Sequence, residues 1–176
     1  MVDVNFFMAM PLPLEVGRRL AQCHDPTMPG ARWVTPDRMH ITLHFLGAAP
    51  TERVGALIES LSCAAIDPAP EICVRGVGAF GQRVLYAKVA PDAAVKEFAA
   101  GFEPLLRRFE LPTSPRPYVP HVTMARLRGT SDTVVRTWRR RWSALESEPF
   151  RAEGYVFRSE PRPNGPPSYV RLGPRH

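Results

Sequence analysis

The sequence is poor in cysteine, and the few cysteines present are not spaced for a common purpose. Cys23, Cys63 and Cys73 are odd in number, and no C-x-x-C pair or zinc-finger spacing connects them. A disulfide framework or a structural zinc site requires such paired spacing. Neither is expected, and the three thiols are predicted to be reduced and partly buried.

Long hydrophobic runs are also missing. The longest apolar stretch, residues 4–14, is interrupted by Asn5, Pro11 and Pro13, and it is far shorter than the roughly 20 residues that a membrane helix needs. Asp3 stands where a secretory signal would carry positive charge, and no small-residue cleavage site follows. These absences predict a cytoplasmic protein without a membrane segment.

Lysine is nearly absent although the chain is strongly basic. Lys88 and Lys96 are the only lysines among 23 basic residues, and the formal net charge is +6. Arginine matches the geometry of phosphate better than lysine does, so a nucleic-acid partner is one explanation for this composition. A chain rich in arginine, alanine and proline can equally reflect the base composition of its gene, and this explanation carries at least half the weight.

The 176 residues are 44% hydrophobic and 23% charged, which fits one globular domain that mixes strands and helices. Apolar periodicity and turn residues predict strands at Asn5–Met10, Trp33–Thr35, His40–Leu46, Ile72–Val77, Val84–Val89 and Val122–Leu127, and a hairpin of Phe150–Phe157 with Tyr169–Leu172. Helices are predicted from Pro13 to Cys23, from an N-cap at Thr51 to Cys63, from Asp92 to Phe109 with a kink at Pro104, and from a cap at Ser131 through Trp142. The proline-rich segment 111–120 is predicted to be an ordered connection to the strand that follows it.

A short motif occurs twice, once in each half of the chain. His40-Ile41-Thr42-Leu43 and His121-Val122-Thr123-Met124 share the pattern His-x-Thr-apolar, and a proline precedes each histidine by four residues. From the composition, the pattern is expected by chance roughly 0.1 times in a chain of this length, so two copies are a significant signal. The repetition suggests two related lobes.

Each motif places an imidazole and a hydroxyl on one face of a strand, because alternate side chains of a strand point the same way. Two imidazoles in one cleft suit a reaction in which one proton is removed and another delivered. Threonine hydroxyls can donate hydrogen bonds to phosphate oxygens, and a nearby arginine would balance the charge. For a single copy, an ordinary strand threonine beside a structural histidine is the better explanation. The duplication favours metal-free phosphodiester chemistry.

The segments around both motifs resemble the 2H phosphoesterases, and among them the RNA 2′,3′-cyclic phosphodiesterases first described as 2′-5′ RNA ligases. The resemblance covers nearly the whole chain and is most specific over Met39–Gly47. It also includes Phe6–Leu12, Arg32–Val34, Gly78–Phe80, Arg83–Tyr86, Tyr118–Arg126, Phe157–Glu160 and Tyr169. Met124 departs from the family pattern, in which leucine is more usual, but the two side chains are similar in volume.

The resemblance implies one bilobed α+β domain over residues 1–176, in which two antiparallel sheets face a central cleft and helices pack outside. The lobes would be related by a pseudo-two-fold axis. The implied activity is hydrolysis of an RNA-terminal 2′,3′-cyclic phosphate to a 2′-phosphate, with 2′-5′ ligation as the reverse reaction. No metal or cofactor is implied. The expected partner is RNA with cyclic phosphate ends or a nucleotide analogue, and the protein is expected to be a monomer.

The resemblance also assigns roles to seven residues. They are His40 as proton donor, His121 as proton acceptor, Thr42 and Thr123 as ligands of the phosphate oxygens, and Arg126, Phe45 and Tyr118 as substrate-binding residues. Residue types alone do not decide which histidine is the acid and which is the base.

Other residues invite rival interpretations. His40 and His44 lie four residues apart, so on a strand they share one face, and His44 is expected to line the outer end of the cleft. A zinc-protease pattern would need glutamate where Ile41 stands, and a metal role is not favoured. His24 and His176 are expected to be solvated. Arg136 and Arg139–Arg141 suggest an RNA-contact patch, but a solvated helix face is the favoured interpretation.

Two other functions stay open at this point. One is a module that binds nucleotides or RNA and has lost turnover. The other is an enzyme that opens cyclic phosphates on small nucleotides rather than on RNA ends.

Overall fold

The computed structural model describes residues 4–64, 67–115 and 117–173, which contain nine strands and five α-helices. The strands are Asn5–Pro11 (β1), Ala31–Trp33 (β2), His40–Gly47 (β3), Glu71–Phe80 (β4), Val84–Ala90 (β5), His121–Leu127 (β6), Phe150–Arg151 (β7), Tyr155–Glu160 (β8) and Ser168–Gly173 (β9). The α-helices are Leu14–Ala21 (α1), Thr51–Cys63 (α2), Asp92–Gly101 (α3), Glu103–Arg108 (α4) and Asp132–Arg141 (α5), and a 3-10 helix spans Pro36–Arg38. The expected α+β class is confirmed.

The strands follow one antiparallel path in the order β7-β4-β5-β6-β3-β1-β8-β9, with β2 also paired to β6. Two four-stranded halves meet where β6 pairs with β3 through Ile41 and Val122. The halves have matching connections, because β1 leads through α1 to β3 and β5 leads through α3 and α4 to β6. This repetition supports two related lobes. The expectation of two separate sheets is corrected, since the β3–β6 pairing makes the motif strands neighbours.

Several predicted boundaries differ from the structure. The strand predicted over Trp33–Thr35 is β2 at Ala31–Trp33, and the strand predicted over Ile72–Val77 extends as β4 from Glu71 to Phe80. Pro50, rather than Thr51, is the N-cap of α2, because its extended backbone stands just outside the first helical turn. The helix predicted over residues 92–109 is divided into α3 and α4 near the expected kink at Pro104. Phe150 does not join the C-terminal hairpin; it pairs with Ile72 of β4, and the hairpin consists of β8 and β9 alone.

One core cluster joins the buried faces of the motif strands to the helices. It includes Ile41 and Leu43 of β3 and Val122 and Met124 of β6, all with 0% exposure. The helices contribute Val16 and Leu20 from α1, Val54 and Leu57 from α2, Val95 and Ala99 from α3, Leu106 from α4, and Val135 and Trp138 from α5. Burial of each large aliphatic side chain stabilises the fold by about 1.5–3 kcal/mol. The same core therefore holds both motif strands.

The 3-10 helix lies against α1 at Gly17. A Cβ atom at this position would be 2.8 Å from the carbonyl oxygen of Pro36, which is closer than real Cβ contacts allow. Glycine therefore permits the close approach of α1 to the segment that leads into β3. This contact positions the residues immediately before His40.

Residues outside the motifs confirm one expectation and correct another. The arginines of α5 are exposed while Trp138 is 4% exposed, so the expected division of this helix into an apolar inner face and an arginine-bearing outer face is confirmed. His24 is not a solvated loop residue: its ring stacks on Trp33 with 4.8 Å between centroids, and its Nε2 atom is buried. The loop folds back because the Trp33 indole N–H donates to the carbonyl of Asp25. His176 lies outside the described residues.

None of the helices in the described parts of the chain is long and apolar enough to cross a membrane.

Candidate active site

The two motifs lie side by side in the middle of the sheet. Because Ile41 is paired with Val122 in antiparallel register, the neighbouring residues form two cross-strand pairs. These pairs are His40 with Thr123, and Thr42 with His121. Ile41 and Val122 point into the core, whereas the four motif side chains are partly exposed on the other face. We call this surface, defined by His40, Thr42, His121 and Thr123, the motif face.

Both imidazoles are anchored in the same way. The Nδ1 atom of His40 lies 2.8 Å from the carbonyl oxygen of Arg38, and that of His121 lies 2.7 Å from the carbonyl oxygen of Val119. A carbonyl oxygen only accepts hydrogen bonds, so each Nδ1 carries a hydrogen and donates it. Each Nε2 is thus left to accept a proton when the ring is neutral or to donate one when it is charged.

Aromatic rings enclose His40. Phe7 of β1 and Tyr169 of β9 lie 5.2 and 5.3 Å from its ring centroid, and Tyr169 meets the imidazole edge-on. Phe7 also stacks on Phe157 of β8 at 5.4 Å. Four strands of one half therefore fix the orientation of this imidazole.

His121 is enclosed by a corresponding pair of rings from the other half. Phe80 of β4 and Tyr86 of β5 lie 4.9 and 5.4 Å from its centroid, and they stack on each other at 4.4 Å. Gly78 makes room for this stack, since a Cβ there would lie 2.5 Å from the Tyr86 hydroxyl oxygen. Phe80 is 38% exposed, so the surroundings of His121 are more open than a buried pocket.

The surroundings lower the pKa of both imidazoles below the ordinary histidine value. Burial is the largest cause for each, and it is opposed by the hydrogen bond from Nδ1 to the backbone. Nearby positive charges lower the pKa further: Arg38 and Arg126 act on His40, as does His121 when it is protonated, and Arg126 acts on His121. These surroundings favour the neutral form of both rings in the free protein. A bound anion would favour their protonation.

Both motif strands contain a bulge at the equivalent residue. Leu43 is the extra residue of β3 opposite β1, and Met124 is the extra residue of β6 opposite β5. A bulge reverses the alternation of faces beyond it. Phe45 and Arg126 consequently return to the motif face, and both are exposed. The first seven residues of β3 and the seven residues of β6 have the same order of buried and exposed positions.

The bulge corrects the expectation for His44. This side chain does not share the face of His40; it is 1% exposed and lies on the core side of the sheet. Its Nδ1 accepts a hydrogen bond from the backbone N–H of Ser114 at 3.0 Å, so the hydrogen is on Nε2, which donates to the carbonyl of Ala99 at 2.7 Å. With both ring nitrogens occupied, His44 ties β3 to α3 and has no free position for a metal.

Tyr118 and Ser114 bind the proline-rich connection to the main chain of β3. The Tyr118 hydroxyl donates to the carbonyl of Thr42 at 2.8 Å, and the Ser114 hydroxyl donates to the carbonyl of Leu43 at 2.5 Å. Burial raises the pKa of Tyr118, so its hydroxyl keeps the proton. The Tyr118 hydroxyl is thus engaged by β3, and only its ring is left for a ligand.

The structure brings together most of the residues singled out from the sequence. His40, Thr42, His121, Thr123, Phe45 and Arg126 share the motif face, whereas Tyr118 contacts the backbone of β3. Sequence reasoning gave no role to five residues that contact the histidines or lie beside them. These are Phe7, Arg38, Phe80, Tyr86 and Tyr169. The four aromatic residues among them lie in segments that resemble the family, and this resemblance was the signal that could have drawn attention to them. Their position on the motif face depends on strand pairing between segments that are far apart in the sequence.

Within the described ranges, no group of three or more histidine, cysteine, aspartate or glutamate side chains is arranged to hold a metal ion. The chemistry available to the motif face is that of two imidazoles, two hydroxyls and a guanidinium.

Two His-x-Thr strands paired at the centre of an α+β fold define the class of two-histidine phosphoesterases. The sequence model of the LigT-like phosphoesterases matches the chain twice, over residues 11–90 and 87–167. The first match contains β3 and the second contains β6. The chain belongs to the LigT-like phosphoesterase family, which confirms the resemblance seen in the sequence.

Named relatives support the same family. The chain is 28% identical over 130 residues to an RNA 2′,3′-cyclic phosphodiesterase of Geobacillus stearothermophilus, a match that covers 69% of this chain but only 41% of that protein. It is 29% identical to the RNA 2′,3′-cyclic phosphodiesterase of Thermus thermophilus over 93% of this chain and 85% of the relative.

The fold is also that of a solved structure. Escherichia coli LigT in complex with 3′-AMP superposes with a TM-score of 0.74 at 22% identity, over 96% of this chain and 95% of LigT. The same E. coli protein has been solved with ATP and with NADP+. This likeness shows that the folds agree.

Proposed function

We propose that the protein opens the 2′,3′-cyclic phosphate at the end of an RNA and leaves a 2′-phosphomonoester, without a metal ion. The observation that carries the proposal is the pair of imidazoles on the motif face, each with Nδ1 bound to a backbone carbonyl and Nε2 left for proton transfer. The names of the relatives support RNA as the substrate. The protein would act as one bilobed domain and as a monomer.

In the proposed reaction, water attacks phosphorus and the bond from phosphorus to the 3′ oxygen breaks. His121, as the neutral imidazole, accepts the proton of the attacking water at Nε2. His40, protonated once the anionic phosphate is bound, donates its Nε2 proton to the departing 3′ oxygen. One water is consumed, and the two histidines recover their starting protonation by exchange with solvent. In ligation, a 5′ hydroxyl takes the place of water: it attacks phosphorus and loses its proton to His121, the bond to the 3′ oxygen breaks with a proton from His40, and a 2′-5′ linkage forms.

The remaining side chains of the motif face would stabilise the phosphate. Thr42 and Thr123 donate hydrogen bonds to its nonbridging oxygens, and Arg126 offsets the charge that grows on them in the transition state. Phe45, which is 56% exposed at the position equivalent to Arg126, offers an apolar surface to the terminal nucleoside.

Product analysis tests the proposal. An RNA oligonucleotide ending in a 2′,3′-cyclic phosphate is incubated with the protein in EDTA, and the products are compared chromatographically with 2′- and 3′-phosphate standards. We expect the 2′-phosphate and an unchanged rate in EDTA. A 3′-phosphate product would contradict the assignment of the broken bond.

The rival functions give different outcomes in the same assay. Binding of the oligonucleotide without any product would favour a silent binding module. Rapid opening of mononucleoside cyclic phosphates with no action on RNA would favour an enzyme of small nucleotides.

A further inference from the structure

We propose that Arg38 and Tyr169 form a second phosphate subsite, which binds the internucleotide phosphate next to the terminal cyclic phosphate. The inference rests on the proposed function and deepens it. It names an RNA chain, rather than a free nucleotide, as the substrate that the site is shaped to recognise.

Arg38 lies at the border of the reacting groups. It ends the 3-10 helix two residues before His40, and its carbonyl accepts the hydrogen bond from His40 Nδ1. Its guanidinium carbon lies 4.8 Å above the centroid of Tyr169, whose ring meets His40 edge-on. The guanidinium and the imidazole thus contact the same aromatic ring.

The guanidinium has no counter-charge among the described residues. No carboxylate of residues 4–64, 67–115 or 117–173 forms an ion pair with Arg38, whereas Arg158 on the adjoining hairpin pairs with Glu160 at 2.5 Å. The Nε atom of Arg38 is buried and lacks a hydrogen-bond partner in the same ranges. A charged donor group without an acceptor is costly, so an anionic ligand would stabilise this arrangement.

The geometry favours phosphate as that ligand. A guanidinium held over an aromatic ring by cation–π attraction can still donate from the N–H groups at its edge. Phosphate oxygens accept from such an edge through two parallel hydrogen bonds. The positive charge of Arg38 also disfavours the protonated form of His40. An anion bound to Arg38 would offset this repulsion between the guanidinium and the imidazolium.

The position distinguishes this subsite from the one for the reacting phosphate. The reacting phosphate is assigned to the Nε2 side of the imidazoles, between Thr42 and Thr123. The backbone carbonyl of Arg38 accepts from His40 Nδ1, and its guanidinium lies over Tyr169 of the edge strand β9, whereas Thr123 belongs to β6 on the other side of β3. A ligand that fills both places must carry two phosphates, as a chain end does and a mononucleoside cyclic phosphate does not.

The test compares three substrates that differ at one phosphate. They are a mononucleoside 2′,3′-cyclic phosphate, a dinucleotide ending in the same group, and that dinucleotide with a neutral methylphosphonate linkage. The variant is Arg38→Met, and the matched control is Arg139→Met, which removes the same charge from the exposed face of α5. We expect Arg38→Met to lower kcat/KM for the dinucleotide roughly tenfold to a hundredfold. The mononucleotide and the methylphosphonate should change by less than about threefold, and Arg139→Met should affect no substrate selectively.

Two further readouts make the outcome decisive. His40 faces Arg38, Tyr169, His121 and Arg126; removing the charge of Arg38 should raise the pKa of His40 and move the descending limb of the pH profile to higher pH. Equilibrium binding of a dinucleotide and a mononucleotide that both end in a 2′-phosphate repeats the comparison without turnover. If Arg38→Met loses the preference for binding the dinucleotide, the subsite is supported, whether or not the wild type opens cyclic phosphates. A wild type that opens no cyclic phosphate would contradict only the proposed function.

Three results would overturn the subsite. Equal losses on the mononucleotide and the dinucleotide would mean that Arg38 acts on the reacting phosphate or on the fold. A loss on the methylphosphonate as large as on the natural dinucleotide would point to recognition of a base edge. No loss on any ligand would mean that Arg38 binds none of them.

Discussion

Strands β3 and β6 have the same backbone design but different side chains beyond the motif. Both start with His-x-Thr, both bulge at the fourth residue, and both bind the histidine Nδ1 to the carbonyl two residues earlier. After the bulge, β3 continues with His44 and Phe45, whereas β6 continues with Ala125 and Arg126.

The two strands thus share the reactive groups of the motif but differ in the residues that surround them. The backbone delivers an equivalent imidazole and hydroxyl from each half. The electrostatics are unequal, because two arginines, Arg38 and Arg126, lower the pKa of His40, whereas Arg126 alone lowers that of His121. The residues outside the motif therefore give the two equivalent imidazoles unequal surroundings.

Alanine at either histidine should cause the largest loss. We expect His40→Ala and His121→Ala each to lower kcat by about 10²–10⁴-fold, with the double variant little worse than either, because the two groups act in one step. The assay is product formation from RNA with a cyclic phosphate end. Full activity in either single variant would contradict the proposed chemistry.

A second substrate assigns the two roles. A p-nitrophenyl phosphodiester has a leaving group that needs no proton, so His40→Ala should regain much more activity on it than His121→Ala does. Equal recovery of activity in both variants would contradict the assignment of His40 as the acid and His121 as the base.

Removing a threonine hydroxyl should cost less than removing a histidine. Thr42→Val and Thr123→Val keep the shape of the side chain but lose a hydrogen bond to a charged oxygen, so kcat/KM should fall about tenfold to a hundredfold. The serine variants retain the hydroxyl and serve as controls in the same kinetic assay. Valine variants as active as the serine variants would show that the hydroxyls do not hold the phosphate.

Substitutions at positions 45 and 126, which are equivalent in the two strands, test how a charge at this place affects the pKa of the histidines. Arg126→Met removes a positive charge that disfavours the protonated form of both imidazoles, so the pKa of His40 and of His121 should rise. Each ring then keeps its proton to higher pH, which NMR titration of the imidazole Cε1–H signals measures. The matched change Phe45→Leu should move neither titration. A fall in either pKa after Arg126→Met would contradict the placement of Arg126.

The smallest effects are expected behind β3. Tyr118→Phe and Ser114→Ala each remove one hydrogen bond to the β3 main chain, and each should lower the free energy of unfolding by about 1 kcal/mol. Urea unfolding measures this loss. Ser143→Ala, on the surface, is the control and should change stability by less than about 0.5 kcal/mol. If Tyr118→Phe lowered kcat while the free energy of unfolding hardly changed, the substrate contact predicted from the resemblance would be favoured instead.

The motifs and the strands that carry them were predictable because they depend on neighbours in the chain. Alternation placed His40 beside Thr42 and His121 beside Thr123, and this short-range geometry agrees with the structure. Alternation failed at His44, where the bulge at Leu43 reverses the faces. A bulge arises from the pairing of two strands, and a single strand of sequence carries no direct sign of it.

Local information in the chain therefore established the chemical groups: two imidazole–hydroxyl pairs on strands, in a basic α+β protein of one domain's length. Long-range folding established how they meet, through the β3–β6 contact that places each histidine opposite the other strand's threonine. It also brought Arg38 over Tyr169, from segments more than a hundred residues apart in the sequence. The division has a physical cause, since side-chain alternation follows from the backbone of one strand while register and contacts depend on the packing of all of them.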